Sequence, residues 1–240
     1  MRAVARFERK YLLDLEQYYR LRNAVMPFVE RDHYTRAAGG AYLVRSVYYD
    51  TRDYRAWYEK EDGDFGRIKL RIRAYTESPQ YGDTISVELK TKHGNSMEKY
   101  SAHVNLEDYR RFQRTGRWQD HKNEILCEFD RLVRVRSLVP VCLVQYRREG
   151  FIARDRSRVR ITLDHDVTST RAASLFPERP VLKPHRPKRR IFEVKTRDGE
   201  PRWLQELIRR HMLKMTSNSK YWQGIEIVRP NMVTPREVAP

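Results

Sequence analysis

Four basic residues occupy every second position of one short segment: Arg67, Lys69, Arg71 and Arg73. Alternate side chains of a β-strand point to opposite sides, so these four would share one face and the apolar residues between them the other. A guanidinium group can grip phosphate oxygens with two parallel hydrogen bonds, and an ammonium group acts as a compact point charge. The segment therefore has the chemistry of a phosphate-binding strand, although a single strand of this kind also fits a solvated outer face.

The same alternation recurs along the chain. Shared polar faces are predicted for Ser86, Glu88, Lys90 and Lys92, for Arg158, Arg160, Thr162 and Asp164, for Gln145 and Arg147, for Glu193 and Lys195, and for Glu8 and Lys10. Like charges crowded on one sheet face repel, so a plain solvated surface would mix residue types more evenly. A closed barrel with a basic interior, covered by helices on its apolar outside, accounts better for this bias.

Three carboxylates stand within the basic set, those of Glu8, Glu88 and Glu193. Carboxylate oxygens are ligands for hard divalent cations, and such a cation could bridge phosphate oxygens. Each carboxylate could equally pair with a neighbouring lysine or arginine. Both interpretations stay open at this point.

The composition predicts an anionic partner. The chain has 240 residues, and its 49 lysines and arginines against 32 acidic residues give a formal charge of +17. Nucleic acid, an anionic membrane surface and a small polyanion all fit that excess. The basic stretches 183–190 and 209–214 are interpreted as solvated faces or as an outer attraction for polyphosphate, so no nucleic-acid partner is expected.

The sequence predicts a soluble, cytoplasmic protein. Its first residues are charged and do not resemble a secretory signal, and no apolar run is long enough to span a bilayer. The two cysteines, Cys127 and Cys142, lie in apolar stretches and are expected to be reduced thiols.

Most of the chain has the period-two pattern of strands, with helices in the intervals. Strands are predicted at 6–13, 42–50, 66–75, 84–92, 96–104, 141–148, 151–154, 158–164 and 190–196. Helices are predicted from Asp14 to about Val25, at 106–114, at 123–137 and from Pro201 onwards. Many short strands indicate a barrel or sandwich. We expect one domain over residues 1–228 and a C-terminal tail over 229–240.

An ordered set of short motifs resembles the VTC domain, the catalytic domain of the vacuolar transporter chaperone polyphosphate polymerase, within the triphosphate tunnel metalloenzyme superfamily. The resemblance extends from about Arg6 to Glu226. Its motifs are FERKY (7–11), SVYYDT (46–51), KLRIR (69–73), VELK (87–90), MEK (97–99), YRR (146–148), RITLD (160–164), FEVK (192–195) and SNSKY (217–221).

The resemblance implies an α+β fold, a closed antiparallel barrel of eight strands with helices packed outside. It implies a tunnel lined by the phosphate-binding residues Lys10, Arg71, Arg73, Lys90, Lys99, Arg147 and Arg160, to which Lys69 is added by its place on the same strand face. Of these, Lys10, Arg71, Arg73 and Arg147 are expected to act in catalysis. Glu193 would hold Mn²⁺ or Mg²⁺, with Glu8 and Glu88 as further candidates, and Ser219 and Lys220 would close the site.

The leading functional hypothesis is transfer of the terminal phosphoryl group of ATP to a polyphosphate chain. A triphosphatase or polyphosphatase that uses water as the acceptor, and a non-catalytic sensor of polyphosphate or nucleotide, remain alternatives. Another branch of the superfamily carries an acidic residue where this chain has Arg6, which favours the VTC branch. Membrane-bound members carry further domains, so association with a membrane partner protein is one expectation.

Overall fold

A computed structural model of the chain describes residues 7–61, 66–79, 83–93, 96–197 and 199–229, without the side chains of 60, 61, 66, 67, 92, 93, 96 and 97. The elements of these residues are, in chain order, β1 (Phe7–Leu13), α1 (Leu15–Val25), a short 3-10 helix (Met26–Phe28), β2 (Val29–Arg31), α2 (His33–Ala37), β3 (Tyr42–Asp50), α3 (Arg55–Glu61), β4 (Gly66–Ala74), β5 (Ile85–His93), β6 (Ser96–Val104), α4 (Leu106–Thr115), α5 (Glu124–Val135), β7 (Val139–Ala153), β8 (Arg160–Thr170), β9 (Lys183–Pro184), β10 (Arg190–Thr196), α6 (Arg202–Arg210) and α7 (Lys220–Val228). Antiparallel strands packed against helices make the fold α+β, as predicted.

The chain divides into two compact units, and each unit is built from three separate stretches. Unit 1 comprises Met1–Val44, Tyr146–Val167 and Arg186–Asn218, and unit 2 comprises Arg45–Gln145, Thr168–His185 and Ser219–Pro240. Each unit has its own apolar core. The single domain expected over 1–228 remains a prediction.

Unit 1 is a sheet with one apolar and one polar face. β10 pairs with β1 on one side and with β8 on the other, which sets Lys10, Glu193 and Thr162 side by side. The apolar face packs against α1 and α6, and the core between them includes Tyr11, Leu13, Leu21, Phe151, Val159, Ile161, Leu163, Phe192, Val194 and Leu204. As predicted, Asp14 caps α1: its carboxylate accepts a hydrogen bond from the Gln17 backbone N–H at 2.8 Å.

Unit 2 contains an antiparallel meander in which β3 pairs with β4, β4 with β5, and β5 with β6. The predicted strands 42–50 and 96–104 are confirmed, and α5 begins directly after its cap Asn123. The apolar face of the meander packs against α4 and α5, and the core of unit 2 includes Val47, Tyr49, Leu70, Ile72, Val87, Leu89, Tyr109, Phe112, Trp118 and Phe129. The other face is left to polar residues.

Several predictions differ from the structure, and others concern residues outside its described ranges. The two strands predicted at 141–148 and 151–154 are one continuous strand, β7, and the short helices α2, α3 and α7 were not expected. The described strands of neither unit form a closed ring, so the closed eight-stranded barrel is not confirmed. Arg6, the predicted turns around Gly63, Gly82 and Gly94, and residues 230–240 of the tail lie outside the described residues.

No helix in the described part of the chain has both the length and the apolar character needed to cross a membrane.

We expect Phe129→Ala to lower the free energy of unfolding by about 3–5 kcal/mol, because Phe129 is fully buried in the core of unit 2 and its loss leaves a cavity. Val135→Ala, on the same helix but 70% exposed, should change it by less than about 0.5 kcal/mol. Urea unfolding of both variants measures the difference, and similar losses would contradict this account of the core.

Candidate anion-binding site

The polar face of unit 2 arranges its side chains in rows that run across the strands. One row contains Tyr48 of β3, Arg71 of β4 and Glu88 of β5. Directly paired residues of antiparallel strands point to the same side, so each row presents its polar groups together. The predicted phosphate-binding strand, β4, thus lies between neighbours that also offer polar groups to this face.

Glu88 is the carboxylate at the centre of this face. It is 2% exposed and accepts a hydrogen bond from Arg71 Nε. The ammonium of Lys99 lies 2.8 Å from one of its oxygens, and Arg73 Nη1 lies 3.9 Å from the same oxygen. Burial alone would raise the pKa of Glu88, but these three positive charges outweigh burial and hold it well below its ordinary value.

Both arginines are also held from β3. Arg71 Nη1 donates to the Tyr48 hydroxyl at 3.2 Å, and Arg73 Nε donates to Ser46 Oγ at 3.0 Å. Arg73 is only 7% exposed. Two separate partners for each planar guanidinium fix its orientation, which is what a preorganised anion site requires.

Three lysines form a second row on the same face. Lys90 of β5 is paired directly with Lys69 of β4 on one side and with Lys99 of β6 on the other. Directly paired residues of neighbouring strands present their side chains together, so this row adds positive charge to the face.

Helix α7 adds further groups to unit 2. Its cap is Ser219, whose hydroxyl accepts from the Trp222 N–H at 3.4 Å, and Lys220 follows as the first helical residue. The ammonium of Lys69 lies 5.5 Å from the centre of the Tyr221 ring. The Tyr221 hydroxyl donates to the buried carboxylate of Asp50, which also accepts backbone N–H groups at the start of α3.

Unit 1 carries a different, charge-balanced cluster. The Lys10 ammonium lies 2.8 Å from Glu8 and 3.9 Å from Glu193, and the Lys195 ammonium lies 2.9 Å from Glu193 and 3.9 Å from Glu8. Burial alone would lower the pKa of Lys10, but Glu193 and Glu8 outweigh burial and raise it. Two carboxylates therefore share two ammonium groups.

Two buried oxygen atoms of unit 1 have no hydrogen-bond partner within the described residues: Thr162 Oγ1 and Asn218 Oδ1. Thr162 is the direct cross-strand neighbour of Glu193, and the backbone oxygen of Asn218 accepts from Lys10 at 3.1 Å. Buried polar atoms are usually satisfied, so both oxygens indicate room for a ligand beside the Lys10 cluster.

Arg147 and Arg148 lie on opposite sides of β7. Arg147 is exposed and lies on the side that further along carries Glu149 and the core residue Phe151. Arg148 is directed to the other side and binds the buried carboxylate of Asp164 through two hydrogen bonds, of 2.6 and 2.8 Å. The residue expected to contact phosphate, Arg147, is therefore not the arginine that faces the polar side of this sheet.

Arg160 is held by a carboxylate that packs against the backbone of strand β7. Its Nη2 donates to Asp32 at 3.1 Å, and Asp32 lies over Gly150. A Cβ atom at position 150 would stand 2.0 Å from the Asp32 carboxylate, so only glycine fits there. The Asp32 carboxylate also caps α2 by accepting from the Thr35 N–H.

The structure thus divides the predicted site residues between the units. Unit 2 holds Lys69, Arg71, Arg73, Glu88, Lys90, Lys99, Ser219 and Lys220, and unit 1 holds Glu8, Lys10, Arg147, Arg160 and Glu193. Sequence reasoning missed Tyr48, Arg148 and Asp32 as parts of these clusters. The parity of β7 relative to Phe151 could have identified Arg148, but nothing local in the sequence pointed to Asp32.

No group of three or more His, Cys, Asp or Glu side chains within the described residues is arranged to hold a metal ion.

The VTC domain family model matches residues 5–229 of the chain. Among solved structures, the chain is similar to a putative adenylate cyclase from Bacillus halodurans, at 15% identity and a TM-score of 0.52 over 88% of this chain and 92% of that one. It is also similar to a putative adenylyl cyclase from Hippeastrum with a dominant triphosphatase activity, at 14% identity and a TM-score of 0.51 over 97% of this chain and 99% of that one. No curated protein matches the chain.

We expect Glu88→Gln to lower the free energy of unfolding at neutral pH by about 3 kcal/mol, because it leaves the buried Arg73 and the partly buried Arg71 without their counter-charge. The pKa of Glu88 is lowered in the folded state, so its contribution is complete above the ordinary value of 4.5 and is lost as the pH falls below it. Urea unfolding between pH 7 and acidic pH should therefore show a shallower acid loss in the variant.

Glu98→Gln is the matched control, because Glu98 is exposed on the neighbouring strand β6. It should leave both the neutral stability and the acid dependence close to those of the unmodified protein. An acid dependence of Glu88→Gln as steep as that of the unmodified protein would show that Glu88 is not the ionised centre of this cluster.

Proposed function

Because the chain belongs to the VTC domain family, within the triphosphate tunnel metalloenzymes, we propose that it is an enzyme that transfers the terminal phosphoryl group of ATP to a polyphosphate chain. One observation carries the proposal: the polar face of unit 2 brings Arg71, Arg73 and Lys99 to the buried carboxylate of Glu88 and sets Lys69 and Lys90 beside them on the same face. This excess of fixed positive charge suits a ligand with several adjacent phosphates.

Phosphoryl transfer requires positioning and charge stabilisation more than covalent help from the protein. In this proposal the guanidinium groups of Arg71 and Arg73, each already oriented by β3, hold the oxygens of the transferred phosphate. The lysine row binds the neighbouring phosphates as point charges. The closed eight-stranded barrel implied by the resemblance belongs to the same proposal, since it would keep water from the transferred group.

The resemblance implies Mn²⁺ or Mg²⁺, and the residues of unit 1 fit a hard cation. Glu193 and Glu8 supply carboxylate oxygens, and the unpartnered hydroxyl of Thr162 stands next to Glu193. A metal held there would supply positive charge that offsets the repulsion between phosphate groups. Glu88 is engaged by three cations, so we assign it to holding Arg71 and Arg73 rather than to the metal.

We further propose that Arg148 takes the phosphate-binding role expected of Arg147. Arg148 lies on the same sheet face as Lys10 and Glu193. Asp164 fixes the Arg148 guanidinium by hydrogen bonding, and the carboxylate of Glu193 also attracts this guanidinium. Asp164 in turn attracts the ammonium of Lys10. Arg160, held by Asp32, is a further basic residue of unit 1 that we assign to phosphate binding. In unit 2, Ser219 and Lys220 would close the site.

Hydrolysis is the second candidate function. The same groups would act on a triphosphate whether the acceptor is a phosphate chain or water, and the similar Hippeastrum protein is described by its triphosphatase activity. A protein that binds polyphosphate without turnover is the third candidate. The cytoplasm is the proposed location, consistent with two free cysteines, and a membrane partner protein stays part of the proposal.

The decisive experiment incubates the protein with ATP and Mn²⁺ or Mg²⁺ and measures ADP, free phosphate and long polyphosphate together. We expect ADP and polyphosphate, and a loss of at least ~100-fold for Arg71→Ala/Arg73→Ala, because two charge-assisted hydrogen-bonding groups are removed. Arg111→Ala/Arg131→Ala removes the same number of arginines from the helix surface and should retain activity.

Free phosphate without polyphosphate would replace the polymerase proposal by the triphosphatase. Tight polyphosphate binding without turnover would leave the sensor. Equal losses in both double variants would mean that total charge, rather than the face of unit 2, determines activity.

We expect Arg148→Lys to lower kcat/KM by about tenfold, because lysine keeps the charge but loses the two-pronged geometry. Arg147→Lys, one residue away on the exposed side, should stay within about twofold of the unmodified protein. Steady-state kinetics of the two variants make the comparison, and a larger effect at Arg147 would reverse the assignment.

A further inference from the structure

Tyr48 has an unusual environment for a tyrosine. Its side chain is 7% exposed, and its hydroxyl accepts a hydrogen bond from Arg71 Nη1 at 3.2 Å. The Arg71 guanidinium carbon also lies 5.9 Å from the ring centre, and the Tyr221 ring centre lies 5.2 Å from that of Tyr48. The phenol oxygen is thus fixed within the cationic face of unit 2.

Positive charges surround the hydroxyl of Tyr48. Burial alone would raise its pKa, but Arg71, Arg73 and Lys220 outweigh burial and lower it. An ordinary buried tyrosine behaves in the opposite way: burial raises the pKa of the next residue, Tyr49, which lies on the apolar face of the same strand. The two adjacent tyrosines therefore differ in environment rather than in burial.

The hydrogen bond with Arg71 uses one lone pair of the Tyr48 oxygen and leaves its proton to be donated. A phenol carries one donor and two acceptor positions. Within the described residues no oxygen or nitrogen accepts the hydrogen of this hydroxyl. A buried donor without an acceptor is unfavourable, and it becomes favourable when a ligand oxygen reaches it.

We propose that Tyr48 is a substrate-binding residue, whose hydroxyl donates a hydrogen bond to the same phosphate group that Arg71 and Arg73 hold. The inference rests on the proposed function, because it takes a phosphate chain as the ligand of this face. Tyr48 contributes a neutral donor among cations: it adds a directional contact to phosphate without adding to the charge repulsion that the lysine row already carries.

The test measures binding of inorganic tripolyphosphate by isothermal titration calorimetry to the full-length protein, Tyr48→Phe and Tyr49→Phe. We expect Tyr48→Phe to weaken binding by about tenfold, the value of one hydrogen bond to a charged group. Tyr49→Phe makes the same chemical change one residue away, on the apolar face, and should leave affinity unchanged. Thermal unfolding of both variants without ligand identifies any loss of folded protein.

A second readout separates contact with phosphate from a structural role. The near-ultraviolet absorbance of phenolate should reveal one tyrosine that titrates early in the unmodified protein. Tripolyphosphate should shift that titration to higher pH, because a neighbouring anion disfavours the phenolate. The ionisable groups that act on this hydroxyl are those of Arg71, Arg73 and Lys220, and the Tyr221 ring packs against that of Tyr48. The early titration should disappear in Tyr48→Phe and persist in Tyr49→Phe.

The outcomes distinguish this inference from the proposed function. Tripolyphosphate binding that is equal in the unmodified protein and in Tyr48→Phe overturns the inference and leaves the function standing. Equal weakening in both tyrosine variants also overturns it, because the effect then comes from the strand. No binding of tripolyphosphate by the unmodified protein overturns the function and the inference together.

Discussion

The burial of one carboxylate, that of Glu88, is the constraint on which the polar face of unit 2 depends. Arg71, Arg73 and Lys99 all approach it, and the buried guanidinium of Arg73 would be costly to hold there without an anion. The cost of desolvating Glu88 is offset because three positive charges share it. Lys69 and Lys90, paired with each other across β4 and β5, add further positive charge to the same face.

The two units share the same alternating strand pattern but differ in how the charged side chains of their polar faces are paired. In unit 1, Lys10 and Lys195 share Glu8 and Glu193, Arg148 binds Asp164, and Arg160 binds Asp32. Such pairing of opposite charges fixes the orientation of each side chain. In unit 2, by contrast, three cations converge on the buried carboxylate of Glu88.

Strand alternation made the two faces of each sheet predictable, because apolar and charged residues cannot exchange sides without burying charge. It placed Lys69 and Arg71 on one face of β4, and Glu88 and Lys90 on one face of β5, from residue type alone. It was insufficient on β7, where Cys142, Leu143 and Val144 are all fully buried. With both sides of the strand apolar there, the residues before the two arginines give no parity, and the choice between Arg147 and Arg148 depends on the position of Phe151 further along the strand.

The helix α7 itself could not be predicted from the sequence, because tertiary packing rather than helix propensity determines it. Gly224 lies in the middle of the helix, where glycine normally weakens it by about 1 kcal/mol. A Cβ atom there would stand 2.9 Å from Ser169 Oγ and 3.0 Å from Cys142 Sγ, so the glycine permits a contact that a larger residue would prevent. That close packing, with the bond from Tyr221 to Asp50, brings Lys220 to the side of Tyr48. The position of a cation in the candidate site therefore depends on the absence of a side chain elsewhere in the same helix.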